Sequence, residues 1–300
     1  MLDILNLPKP QNGYIDYFCN FGFGSSTANW STWEKPRGIS MIYITCFGAG
    51  GGGGGGSSVN QLGGGGGGSG GQTTLLIPAH VLPDILYVSP GKGGVGANTF
   101  AGTGGDGSPS YVSIAPSADA IYLACFANGG SGANGSFAGT GATIATQASA
   151  LMSSQGFFFA LIGQSGQTGG SVKTVTYPIT GLLVSGGAGG GGGSSFAGTG
   201  AGGNITAPTQ SSLRFFSDIP GSTDGTSNPG SNGISLFQPL LSTGGGGGGG
   251  QGSTGIALNG SGGNGGFGSG GGGVGNAGGS INAGTTGGSG GDGLVIIQCF

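Results

Sequence analysis

One histidine stands in the chain, His80, within Ile77-Pro78-Ala79-His80-Val81. A nucleophile–histidine–acid constellation would have to use it. No Gly-x-Ser-x-Gly elbow stands between a strand and a helix to supply its serine. The reading for His80 is therefore structural, and the chain is expected not to be an enzyme. A phosphate-binding loop fails at Gly91-Lys92-Gly93, where Ser or Thr should follow the lysine. The four cysteines, Cys19, Cys46, Cys125 and Cys299, lie far apart with no Cys-x-x-Cys. Three of them end apolar runs, which reads as buried strand thiols, with a disulfide or a metal as the alternative. Asp106 and Asp292 share the context Gly-Gly-Asp-Gly. The spacing does not fit a calcium-binding glycine–aspartate repeat, so both read as turn-forming aspartates. Asn-x-Ser/Thr sequences at Asn29, Asn134, Asn204 and Asn259 follow from a composition rich in small residues. No cofactor or metal is expected.

What remains is contact chemistry. Leu213-Arg214-Phe215-Phe216-Ser217-Asp218 and the polar, turn-rich stretch Gly221 to Gly230 break an otherwise monotonous sequence. Arg214, Phe215, Phe216, Asp224 and Asn228 offer aromatic and charged contacts in a chain short of both. An irregular loop on a rigid scaffold is a common way to build a binding surface. The competing reading puts these aromatics in the core between strands.

The elements that would position such a loop are the glycine runs. Gly50–Gly56, Gly63–Gly68, Gly189–Gly193, Gly244–Gly250 and Gly270–Gly273 are the main ones. Glycine loses more conformational freedom on ordering than any other residue, and a run of it has no side chain to bury. Such a run is either disordered or held by its own backbone. The ordered option is the polyproline-II helix, with three residues per turn and outward N–H and C=O groups that need partners. Without Cβ atoms, several such helices can lie side by side and bond to one another. Glycine and proline together make 83 + 13 = 96 of 300 residues, a share typical of disorder. Disordered chains are poor in apolar residues and rich in charge, whereas this one is 35% hydrophobic and 5% charged. Order is the expectation. Collagen is excluded, because glycine does not recur at every third position throughout.

Between the runs lie apolar strands. Ile39 to Phe47 is almost continuously apolar and reads as a strand buried on both faces. Gln72 to Pro78, Asp84 to Gly91, Ser110 to Ile114, Ala120 to Phe126, Gly156 to Ile162, Val172 to Tyr177, Leu182 to Ser185 and Gly293 to Phe300 read likewise. Thr143 to Ser154 is a weak helix candidate. Phe-Ala-Gly-Thr-Gly recurs at Phe100, Phe137 and Phe196, its aromatic expected to cap the end of a glycine layer, with a receptor contact as the alternative. The segments 143–181 and 204–243 depart from this strand-and-run pattern. Residues 1–29 carry aromatics and prolines without a run. They read as an extended attachment arm or an edge strand, ahead of a glycine-rich domain over 30–300. The fold class expected is all-β, with sandwich-like strands combined with packed polyglycine/polyproline-II helices.

A net charge of −3 and only 6 basic residues leave no patch to neutralise phosphates, so nucleic acid is not an expected partner. No stretch of 18 apolar residues exists to span a membrane, and the first ten residues do not read as a secretory leader. So few charges make a poor surface for a free monomer, which points to cover by partner chains.

Trp33-Glu34-Lys35-Pro36-Arg37-Gly38-Ile39-Ser40-Met41-Ile42-Tyr43-Ile44 running into Gly50–Gly56, the stretch Leu86 to Gly96, and the closing Gly290-Gly291-Asp292-Gly293-Leu294-Val295-Ile296-Ile297 together resemble the glycine-rich domain of phage and other viral fibre and virion proteins. The resemblance covers roughly 30–300 apart from the two departing segments. It implies a virion surface protein, a tail fibre, spike or capsid-attached component. It would assemble with copies of itself, expected as a trimer, and with other virion proteins, and could contact a host receptor. A cellular glycine-rich structural or ice-binding protein is the alternative.

Overall fold

The computed structural model describes residues 14–20, 29–56, 62–144, 156–170, 175–178, 181–190, 199–207, 217–222, 228–237, 240–251, 259–276 and 285–300. Its strands are β1 (Ile15–Cys19), β2 (Ser31–Glu34), β3 (Met41–Phe47), β4 (Gln72–Pro78), β5 (Ile85–Ser89), β6 (Ser110–Ser113), β7 (Leu123–Ala127) and β8 (Phe157–Leu161). Shorter ones follow: β9 (Val175–Thr176), β10 (Thr199–Gly200), β11 (Ile205–Thr206), β12 (Ser235–Phe237), β13 (Leu240–Ser242) and β14 (Gly250–Gln251). The closing strand is β15 (Leu294–Cys299). The only helix among the described residues is a single 3-10 turn, Ala79–Val81. The all-β expectation holds, with almost every pairing antiparallel.

Five strands pair in the order β1-β15-β3-β4-β8 and four in the order β2-β5-β6-β7. Ile42, Ile44, Leu75, Ile77, Val295 and Ile297 from the first sheet meet Trp33, Leu86, Val88, Val112 and Ala124 from the second in one buried cluster. The two sheets therefore pack face to face. Alternation along β3 explains how one strand is buried on both sides. Ile42, Ile44 and Cys46 point into that cluster, whereas Phe47 joins a second one with Leu182, Val184, Phe267, Leu294 and Ile296. The described part of the N-terminal segment is an edge strand, with Ile15 opposite Gln298 and Cys19 opposite Leu294. The Trp33 indole N–H donates to Asp16 Oδ2 at 2.9 Å and ties this edge to the second sheet.

The glycine runs begin where the strands stop. Gly50–Gly55 is buried and not in a strand, yet each of its N–H groups has a backbone acceptor. Gly50 and Gly53 donate to Gly291 and Gly288, Gly51 and Gly54 to Gly68 and Gly65, and Gly52 and Gly55 to Gly105 and Gly102. The partner changes at each residue and returns every third. The carbonyls follow the same rule: Ala49 and Gly52 accept from Gly130 and Ala133, Gly50 and Gly53 from Gly94 and Ala97, and Gly51 and Gly54 from Gly271 and Val274. One run thus bonds to six neighbours. Residues 64–71, 245–249 and 270–275 are surrounded in the same way.

This net accounts for the glycines. A Cβ on Gly51 would overlap the Ser131 carbonyl, on Gly52 that of Val95, and on Gly53 that of Gly272. Interior positions have no direction free of a neighbour's backbone. On two perimeter runs one residue in three faces out and carries the side chain: Asn128, Ser131 and Asn134 on one, Phe137, Thr140 and Thr143 on the next.

Two sequence readings need correction here. Residues 163–170 and 228–234 do not leave the pattern but join the net, through Gly166 to Gly139, Gly169 to Ser136, Gly230 to Ser261 and Gly233 to Asn264. Their glycines fall at every third position, Gly163, Gly166 and Gly169, because only the inward face must lack a Cβ. Leu182 to Ser185 is not a strand. It supplies Leu182 and Val184 to the second cluster, and its Leu183 N–H donates to Gln72 Oε1 on β4 at 3.1 Å. Of the helix candidate Thr143–Ser154, positions 145–154 lie outside the described residues.

Candidate interaction surface

Strand direction gives the molecule two unlike ends. β3 leaves for the glycine net at Phe47, β4 returns from it at Gln72, and β15 returns at Leu294. At the opposite end of the sheets lie the turns 35–40 and 79–84. Here Glu34, Lys35, Arg37, Ile39, His80 and Asp84 line an open cavity of about 530 Å³. Lys35 is committed to structure: its Nζ donates to the Leu82 carbonyl at 2.7 Å and the Ala79 carbonyl at 3.1 Å, and pairs with Asp84 at 3.1 Å. His80 is exposed, in the 3-10 turn. Among the described residues, no group of three His, Cys, Asp or Glu is placed to hold a metal, and no helix is long and apolar enough to cross a membrane.

The perimeter of the net solves a different problem. An outer run lacks a neighbour on one side, so every third N–H loses its backbone acceptor. Side chains of adjacent runs fill the gap. Gly93 N–H donates to Asp292 Oδ1 at 2.8 Å and Gly132 N–H to Asp106 Oδ1 at 2.8 Å. The Ser289 N–H donates to Asn264 Oδ1 at 2.9 Å, and the Asn264 N–H in turn to Asn232 Oδ1 at 2.8 Å. Asp106 and Asp292 are thus not turn residues; each caps a neighbouring run. Burial pushes the Asp292 carboxyl above its ordinary value, and the Gly93 N–H and the Lys92 charge draw it back. Asp292→Ala is expected to cost about 1 kcal/mol in urea unfolding, the worth of one hydrogen bond. Asp292→Asn, which keeps the acceptor and sheds the buried charge, should match the wild type. Equal loss in both variants would show that charge, not the acceptor, matters.

At the end of the net away from the sheets, runs reverse. Asn134 and Phe137 exchange backbone hydrogen bonds at 3.2 and 3.0 Å, and Gly102 N–H donates to the Thr99 carbonyl at 3.0 Å. Thr103 Oγ1 donates to Asn134 Oδ1 across two of these reversals at 3.1 Å. Phe137, the aromatic of the second Phe-Ala-Gly-Thr-Gly copy, is 69% exposed there, so it does not cap a layer by burial. The first copy bends at Ala101, whose φ of 53° is the one positive value of a non-glycine among the described residues. Positions 196–198 of the third copy lie outside them.

Of the contact residues read from sequence, Arg214, Phe215, Phe216 and Asp224 lie outside the described residues. Asn228 is exposed, and its carbonyl accepts from Gly249 N–H at 3.3 Å. Close by, Gly221 and Gly230 are buried in the net. Sequence reasoning noted Phe137 but passed over Asn134 beside it; the signal was a side chain at each third residue of a glycine-rich stretch.

A family model described as a glycine-rich domain matches residues 25–300. A search of curated proteins finds no match.

Proposed function

The chain belongs to the glycine-rich domain family, and from that premise we propose that it is a structural protein of a virion surface, a tail fibre, spike or capsid-attached component serving host attachment or particle assembly. The observation that carries the reading is the three-residue rotation of backbone partners along Gly50–Gly55. A three-residue period is that of the polyproline-II helix, and on that ground we read the runs as polyglycine helices packed side by side. Such a block has little use for charge or catalysis and much for rigidity. It holds chain reversals, among them Asn134–Phe137, at a fixed distance from the sheets. Loops on a rigid scaffold suit recognition. The resemblance of the Trp33–Ile44, Leu86–Gly96 and Gly290–Ile297 stretches to virion proteins supplies the setting.

The low charge supports assembly into a homotrimer bound to other virion proteins. Residues 214–230, with Arg214, Phe215, Phe216, Asp224 and Asn228, are part of the proposed contact surface. Gold labelling of the chain on imaged particles tests the reading. Label on the particle surface is expected. Label confined to host wall or cytoplasm, with none on purified particles, would overturn it.

A further inference from the structure

Two of the four cysteines are neighbours. Cys46 sits on β3 and Cys125 on β7, in the two sheets that face each other, and both are fully buried in their shared core. Cys46 is registered opposite Thr73 across β3 and β4. The Cys125 thiol donates to the Thr73 carbonyl at 4.0 Å, which places its sulfur over that same strand pair. Both side chains lie within that one buried cluster. Both are free thiols, as are Cys19 and Cys299. Nothing in the net or the proposed contact surface uses this pair.

We propose that Cys46 and Cys125 form a latent cross-sheet disulfide that closes when the protein meets an oxidising environment. The oxidant is a small-molecule disulfide. One protein thiol, as thiolate, attacks it and releases one thiol. The second protein thiolate then attacks the mixed disulfide and releases the other. Two protein S–H bonds are lost, one S–S bond forms, and the small disulfide is reduced to two thiols, with the protons passing to them. The bond would join the sheets of the sandwich and close the long loop that spans positions 46–125. A long loop gains more from closure than a short one. In a reducing compartment packing alone holds the sheets together; outside it they gain a covalent link.

Burial sets the kinetics. It raises the Cys46 thiol well above its ordinary value, so little thiolate exists in the native state. The folded protein should therefore oxidise slowly, and the refolding protein quickly.

The test is to refold the full chain in a glutathione buffer containing the disulfide form, and in parallel under reductant. Peptide mass spectrometry without reduction should find the Cys46 and Cys125 peptides linked, lighter by two hydrogen atoms, and separated by reductant. The oxidised protein should melt roughly 5–10 °C higher. Cys46→Ala and Cys125→Ala should each abolish the gain, while Cys299→Ala should keep it. If a variant fails to fold, the wild-type peptide map decides alone. Free Cys46 and Cys125 after oxidative refolding, each alkylated on later unfolding, would overturn the proposal. So would a link to Cys299 instead.

Discussion

Gly53→Val is expected to leave no correctly folded protein. Its Cβ would overlap the carbonyl oxygen of Gly272, and the Gly273 nitrogen lies just behind. Neither can yield cheaply, because Gly272 and Gly273 N–H groups are bonded to Gly263 and Ala188 at 2.8 and 2.9 Å. Ordinary overpacking costs about 1–3 kcal/mol because side chains give way. Here the obstacle is backbone, and shifting one run disturbs six neighbours. The cost should exceed that range and approach the whole stability of a domain, about 5–15 kcal/mol. Val95→Thr is the control. Val95 faces out from a perimeter run and is 64% exposed. A change there should stay within about 0.5 kcal/mol. Thermal melting and soluble yield read both. Equal behaviour of the two variants would mean the runs are not closely packed.

Phe47→Ala is expected to be the most damaging core truncation. Phe47 is fully buried at the point where β3 becomes the first glycine run. Its ring meets that of Phe267 edge-on at 5.6 Å and packs with Leu182, Val184, Leu294 and Ile296. The second cluster is the apolar joint between the five-stranded sheet and the glycine net. Removing a buried phenylalanine costs about 3–5 kcal/mol. For a chain of this size that is a melting drop of roughly 10 °C or more. Phe47→Leu should recover over half of it. A drop below about 3 °C for Phe47→Ala, the size of a loss near 1 kcal/mol, would show that the cluster does not join the two parts. The neighbouring hydrogen bond from Ser110 Oγ to the Phe47 carbonyl, at 2.6 Å, uses backbone and should survive either change.

The strands were the legible part of the chain. Ile39–Phe47 and Gly293–Phe300 are almost continuously apolar stretches beside glycine-rich sequence, and they became β3 and β15, paired from Phe47–Leu294 to Ile42–Cys299. A strand buried on both faces must read as continuously apolar, so the pattern left little choice. The pairing of Ile15–Cys19 with that closing strand was not readable, because Ile15 and Gln298 sit at opposite ends of the sequence. The outer runs were missed for a different reason. A search for uninterrupted glycine finds only interior positions, where every direction meets a neighbour. On some outer runs the requirement relaxes to one glycine in three, as at Gly163, Gly166 and Gly169, and the stretch looks like an ordinary polar loop. Asp106 and Asp292 were misread because their role exists only between runs distant in sequence. Gly93 and Asp292 are 199 residues apart. The contact surface was the least legible. Its signal was unusual composition at 214–230, and composition does not say which residues share a surface.

Amide hydrogen exchange at the interior glycines tests the central claim most directly, that these runs are held by their own backbone. Gly51, Gly54, Gly67 and Gly271 are buried and donate to Gly68, Gly65, Gly271 and Gly51 respectively. Amides that open only with the whole domain exchange at the rate set by global stability. These four should exchange as slowly as Ile44 in β3. Exchange at the rate of a free glycine chain, with β3 still protected, would contradict the account.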